Sequence, residues 1–184
     1  LSGLLRLPAV RLLLLMGIGI FMFNHGLNNW LPELLRAGGM SAAEAGYWAT
    51  VPMVVGIAGS LLIPRLATPQ RRFLILGLLA LAAAVASLLL HAEAGPLLLA
   101  GLTLQGIARS SMMTLAILVL VETPGIGDRH AGTASGLFFS AAEIGGAGGP
   151  IVLGMLYDAT GGFTAGLWLL SAIAALLLLG TWRL

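Results

Sequence analysis

Arg109 and Glu143 carry full charges into the middle of two long apolar stretches of this 184-residue chain. A charged side chain at the centre of a bilayer costs about 2.5–3.5 kcal/mol on insertion scales, so such residues face a bundle interior or a watery cavity and have a partner. An arginine in that setting can fork onto a carboxylate or another small oxyanion. A glutamate can carry a proton; burial raises its proton affinity and a nearby arginine lowers it, so the sequence leaves the sign open. Gln105 stands one helical turn before Arg109 and on the same face, with Thr103, Ser110, Ser111 and Thr114 beside the pair. A third polar group is Asn24, His25 and Asn28, which share a face and run into Asn29, Trp30 and Pro32. Such side chains in hydrocarbon need partners or water, and His25 can change protonation near neutral pH. Together these residues make a candidate substrate site: Asn24, His25 and Asn28 as a hydrogen-bonding wall, Gln105 and Arg109 as substrate contacts, Glu143 as the partner of Arg109 or a proton carrier. The blander assignments are polar helix packing and an Arg109–Glu143 ion pair that merely locks two helices.

Helices long enough to cross a membrane must hold these groups. A bilayer core of about 30 Å takes about 20 apolar residues as helix, and six stretches qualify: roughly 12–35, 45–63, 73–90, 96–121, 131–157 and 163–181. Arg109 and Glu143 then fall near the midplane of the fourth and fifth spans. The links are short and punctuated. Gly38 and Gly39 precede Ser41–Glu44, which reads as a capping box. Pro64 and Pro69 flank the linker 65–72, Gly95 and Pro96 open the fourth span, and Pro124, Gly125 and Gly127 mark the linker 122–130. The fifth span is rich in small residues. Gly132 with Gly136, and Gly145 with Gly149, have the spacing of closely packed membrane helices, and Pro150 is expected to bend the span; a gating or sliding helix is the expectation. Val55–Ile63 in the second span and Ile144–Val152 in the fifth match at three positions, as an inverted three-plus-three repeat would.

Composition narrows the class. The chain is 59% hydrophobic and 9% charged, with mean hydropathy +1.02, against roughly 25% charged residues in a soluble domain. The fold class is therefore an all-α integral membrane bundle, a single unit over residues 1–184 with the linkers 65–72 and 122–130 as cytoplasmic loops. There is no cysteine and no lysine, which excludes disulfides, thiolate metal sites and lysine-bearing phosphate loops. Three dispersed histidines make no metal cluster, and Gly132–Gly136 has the wrong spacing for an intramembrane serine protease. No enzyme activity, cofactor or metal is expected. With the N-terminus inside, Arg6, Arg11, Arg65, Arg71, Arg72, Arg129 and Arg183 collect on the inner side and only Arg36 on the outer, a positive-inside bias that places both termini in the cytoplasm of a cell (inner) membrane. The basicity is read as topogenic, with membrane lipid rather than nucleic acid as the partner. The chain starts at Leu1, not Met, as a fragment would.

The pattern resembles the C-terminal six-helix half of a major facilitator superfamily transporter. The resemblance is carried by the polar first span ending at Asn29–Glu33 with Gly39–Glu44 after it, by Gly59–Arg72, by Ala131–Gly136 through Gly149 and Pro150, and by Gly154–Asp158 leading to Gly161–Phe163. It implies a secondary active permease that moves a small-molecule substrate by alternating access, with the missing N-terminal half completing a central cavity. The first, second, fourth and fifth spans would face that cavity, and the almost uniformly apolar third and sixth would lie outside. Proton coupling at Glu143 fits this picture. The linker lacks the family's usual acidic residue, with Ile63–Arg65 in its place, which puts the acid-anchored gating contact in doubt. Trp30–Pro32 and the central Arg109 are similar to the branch of cyanate-type permeases, for which the cargo would be a small organic or inorganic anion. The competing reading is a non-transporting six-span scaffold or binding protein built on a structural Arg109–Glu143 pair.

Overall fold

Prolines and glycines set most of the helix ends in the computed structural model, which describes residues 3–184 apart from the side chain of Asp128. After a short 3-10 turn, Leu4–Arg6, the helices are α1 (Pro8–Ala37), α2 (Ala42–Leu66), α3 (Arg72–Leu89), α4 (Pro96–Val121), α5 (Gly127–Thr160) and α6 (Thr164–Thr181). Among the described residues these six are long and apolar enough to cross a membrane. Pro8 and Pro96 occupy first-turn positions, where the missing N–H is not needed. Gly39 turns the chain out of α1 at φ 95° and Gly161 caps α5 at φ 71°, backbone that a side chain would strain. The expected capping box is present: Ser41 Oγ accepts from the Glu44 amide at 3.3 Å, and Glu44 Oε2 accepts from the Ser41 amide at 2.9 Å.

The α2–α3 and α4–α5 linkers are both shorter than the sequence suggested. α2 continues to Leu66 and α3 begins at Arg72, leaving 67–71; α5 begins at Gly127, leaving 122–126. Prolines do not break the helices either. α1 runs through Pro32, α2 through Pro52 and Pro64, and α5 through Pro150; the freed backbone groups of membrane helices are re-satisfied locally.

The principal packing pairs are α1 with α5, α2 with α4, α3 with α4, and α3 with α6, supplemented by α1 with α6, α2 and α4, and by α4 with α5. Exchanging α1 with α4, α2 with α5 and α3 with α6 maps each of these pairs onto another member of the set or, for α3–α6 and α1–α4, onto itself; the smaller α5–α6 contact has no counterpart. Successive spans run in alternate directions, so that exchange is an inverted three-plus-three repeat. Two glycines that match in the sequence echo occupy equivalent places: Gly56 of α2 packs on the Gly106 carbonyl of α4, and Gly145 of α5 packs on the Ile18 carbonyl of α1. A third matching pair diverges, since Gly59 abuts Ser110 while Gly148 has nothing within 4 Å.

Leu13, Ile20, Leu27 and Leu31 of α1, Leu102 and Leu115 of α4, and Phe138 of α5 form the middle of the core. On α3, Leu74, Leu78, Leu81, Val85 and Leu88 make an exposed apolar stripe at helical spacing, as a lipid-facing helix should. α2 is the least buried of the six spans.

Candidate functional site

The polar side chains of α1 lie on its open face. Asn24 and Trp30 are half-buried, while His25, Asn28 and Asn29 are exposed. Asn24 and Asn28 border the buried stripe of Ile20, Leu27 and Leu31, one helical turn from its members, while His25 and Asn29 point away from it. His25 stacks on Phe21 with ring centroids 5.1 Å apart, and Asn29 Nδ2 donates to the His25 carbonyl at 2.8 Å.

Arg109 reaches α1 from one flank. Its Nη1 donates to Asn28 Oδ1 at 2.9 Å, joining residues 81 positions apart across α4 and α1. The guanidinium is half-buried and its recorded partner is a neutral amide. Gln105, one turn away, is buried at 1% exposure, and its Oε1 has no hydrogen-bond partner among the described residues.

Glu143 lies on the other flank, on the exposed face of α5. A Cβ built at Gly146 would sit 3.1 Å from Glu143 Oε2 and 3.4 Å from Phe21 Cδ1, so the carboxylate and the ring on which His25 stacks flank the same glycine. Phe139, one turn earlier on α5, meets Phe21 edge-on at 6.5 Å. Along α1 the order is therefore Phe21 with Glu143, then His25, then Asn28 with Arg109. Phe21 and Asn28 are seven residues apart, about 10 Å of helix.

An Arg109–Glu143 ion pair, one of the alternatives the sequence left open, is absent among the described residues. Among the described residues the salt bridges are Arg36 to Glu33 at 3.0 Å and Arg72 Nη1 to Glu122 Oε2; Arg109 and Glu143 do not pair. They differ in direction and in position along α1: Arg109 turns toward Asn28, and Glu143 lies near Phe21, about two turns away. The scaffold reading built on that pair loses its support. The structure joins Asn28 to Arg109 between α1 and α4, leaves Gln105 buried one turn before Arg109 on α4, and places His25 and Glu143 near Phe21. His25, Asn28 and Glu143 are exposed on the surface of the bundle and Arg109 partly so.

The small residues of α5 divide into two sets. Gly145 and Gly149 lie against α1; a Cβ at Gly149 would meet the Met22 carbonyl at 2.5 Å, and one at Gly145 would overlap the Ile18 carbonyl. Gly132 and Gly136 have nothing within 4 Å. Pro150 contributes a contact that the sequence did not suggest, its carbonyl accepting from Trp30 Nε1 at 2.9 Å. Trp30 also packs on Tyr157 and Phe163, at 6.2 and 5.7 Å, fastening that end of α1 to α5. A second contact that sequence reasoning missed is the Arg72–Glu122 pair. It ties the first residue of α3 to the residue just after α4.

A cavity of about 370 Å³ lies elsewhere, at the end where the α1–α2, α3–α4 and α5–α6 connections meet, lined by Leu35, Met40, His91, Glu93, Phe163 and Leu167 among others.

The family model described as Major Facilitator Superfamily matches residues 12–184. The chain is 30% identical over 167 residues to a protein of Bacillus subtilis (strain 168) named "Uncharacterized transporter YycB", covering 90% of this chain and 40% of that one. It is 32% identical over 179 residues to the "Quinolone resistance transporter" of Acinetobacter baumannii, covering 89% of this chain and 38% of that one. The chain thus spans about 40% of the length of the relatives it matches.

Proposed function

The chain belongs to the major facilitator superfamily, and on that footing we propose that it is the C-terminal six-helix half of a secondary transporter that moves a small anionic solute by alternating access. It is a multi-pass membrane protein related to transporters; the cargo, the coupling and the second half are the proposal.

One observation carries the reading: Arg109, at mid-membrane, is half-buried and bonded to a neutral amide on another helix. A structural arginine in lipid would be neutralised by an acid. This one keeps its charge for something else, and a solute anion is the natural counter-charge. Asn24, His25 and Asn28 extend the polar surface along α1 for about two turns, and Gln105 adds an amide one turn from the guanidinium. Glu143 makes no ion pair with Arg109, and in this reading it is the proton-coupling residue. The open face and the share of each relative's length that is covered both support a second bundle closing the site opposite α1, α2, α4 and α5. In that arrangement Gly132 and Gly136 offer a close-approach surface to the second bundle, with α5 as the moving contact.

Transport occurs by rocking of the two bundles about this midplane site. The arginine-rich end faces the cytoplasm of a cell membrane, where membrane lipid surrounds it, with both termini inside. The likeness to cyanate-type permeases rests on Trp30–Pro32 and Arg109 alone.

The test is anion uptake by the complete protein in proteoliposomes. Arg109→Ala is expected to lower uptake at least tenfold with monodispersity and insertion unchanged. Undiminished uptake in that variant would overturn the assignment.

A further inference from the structure

Gln105 is an oddity in a helix bundle whose other polar side chains are mostly accounted for. It is buried, and its carbonyl oxygen has no donor. The hydroxyls near it on α4 are already committed: Thr103 donates to the Leu99 carbonyl at 2.8 Å, Ser110 to the Ile107 carbonyl at 2.7 Å, and Ser111 to the Gly59 carbonyl at 3.4 Å. An unmet buried acceptor is destabilising, and more so where no bulk water can reach it. Its nearest charged neighbour along α4 is Arg109, one turn on, which has five N–H donors and no acceptor.

We propose that Gln105 and Arg109 together select a small carboxylate that carries an O–H or N–H donor on the adjacent carbon: the carboxylate binds the guanidinium, and the donor fills Gln105 Oε1. The inference rests on the anion-transport reading and adds the substrate class. Residues four apart on a helix have Cβ atoms about 5–6 Å apart, a separation that a hydroxy acid or an amino acid bridges through two long side chains. Asn28 holds the guanidinium from the far side and leaves its remaining donors for the carboxylate. An acid without the adjacent donor would meet the same charge but leave Oε1 unpaired. A site whose polar group is left unmet by an analogue rejects that analogue far more strongly than a site that merely loses an apolar contact.

The experiment measures thermal stabilisation of the complete transporter by propionate, lactate and alanine, and by succinate, malate and aspartate. In at least one series a donor-bearing acid is expected to act at a concentration at least about tenfold below its unsubstituted parent. Gln105→Leu, and Gln105→Met as a second variant should the first fail to fold, is expected to bring the acids of that series within about twofold of one another. Whether hydroxyl or ammonium is the preferred donor is read from lactate against alanine and malate against aspartate. Equal responses throughout, no response to any of the acids, or a preference that survives in both Gln105 variants would overturn the proposal. Failure of the underlying anion-site reading looks different: acid-dependent stabilisation, with or without a donor preference, would persist in Arg109→Gln.

Discussion

Arg109 takes an amide where an acid was expected, and that exchange sets the chemistry of the site. An acid at position 28 would satisfy the guanidinium and remove its attraction for an anion. Asn28→Asp is therefore expected to lower anion uptake at least tenfold while raising thermal stability or leaving it unchanged, whereas Asn28→Ala should be milder because the charge survives. Uptake at the wild-type level in Asn28→Asp would show that the charge of Arg109 is not used. Glu143, apart from Arg109, is expected to affect driving force rather than binding. In Glu143→Gln, uptake driven by a pH gradient should fall sharply while exchange of labelled for unlabelled solute persists; equal loss of both would assign the acid to substrate binding or to folding. The sequence made the depth of both charges legible, since Arg109 and Glu143 lie near the centres of long apolar runs. It did not give their directions. A pairing read from depth alone ignores that an arginine can turn toward a neighbouring helix, here to Asn28. The isolation of Gln105 Oε1 was likewise out of reach, because it depends on where the neighbouring hydroxyls donate.

The helices themselves were legible because each is a run of apolar residues bounded by Pro, Gly or a capping box. The fourth span, Pro96–Val121, has the expected ends. Other helices outrun their apolar stretches: α1 begins at Pro8, α2 runs from Ala42 to Leu66, and α5 takes in Gly127 through His130 instead of leaving them in the loop. Small-residue spacing pointed to close packing in α5 but could not say against what. In the structure Gly145 and Gly149 touch α1, while Gly132 and Gly136 face open space. Gly145→Ala is accordingly expected to force α1 and α5 apart and cost about 1–3 kcal/mol of stability, read as a lower melting temperature of the complete protein. Gly136→Ala meets nothing within this bundle, so a loss of stability there would locate the contact on the second bundle. At the other end of α5, Trp30→Phe keeps the aromatic stack with Tyr157 and Phe163 but deletes the bond to the Pro150 carbonyl. Its expected cost is about 0.5–1.5 kcal/mol, and an unchanged melting temperature would show that the bond is not holding α1 to α5.

At the scale of the molecule, the six helices form an inverted repeat whose polar groups lie on one open side. An arginine, a glutamate, a histidine and several amides on an uncovered face would meet lipid if the bundle stood alone, at a cost of several kcal/mol. Residues 1–184 expressed by themselves are therefore expected to aggregate in detergent, and a monodisperse folded bundle would argue against a second half. The Arg72–Glu122 pair joins the start of α3 to the end of α4 at the arginine-rich end. The central claim is that His25, Asn28 and Arg109 line a water-filled pocket halfway through the membrane. The absence of cysteine from this chain makes the direct measurement possible: His25→Cys in the complete transporter, with any cysteine elsewhere replaced, exposed to a membrane-impermeant thiol reagent, and Leu81→Cys on the apolar stripe of α3 as control. The account predicts that position 25 is modified and position 81 is not. Failure of position 25 to react from either side of the membrane, with the protein folded, would contradict it.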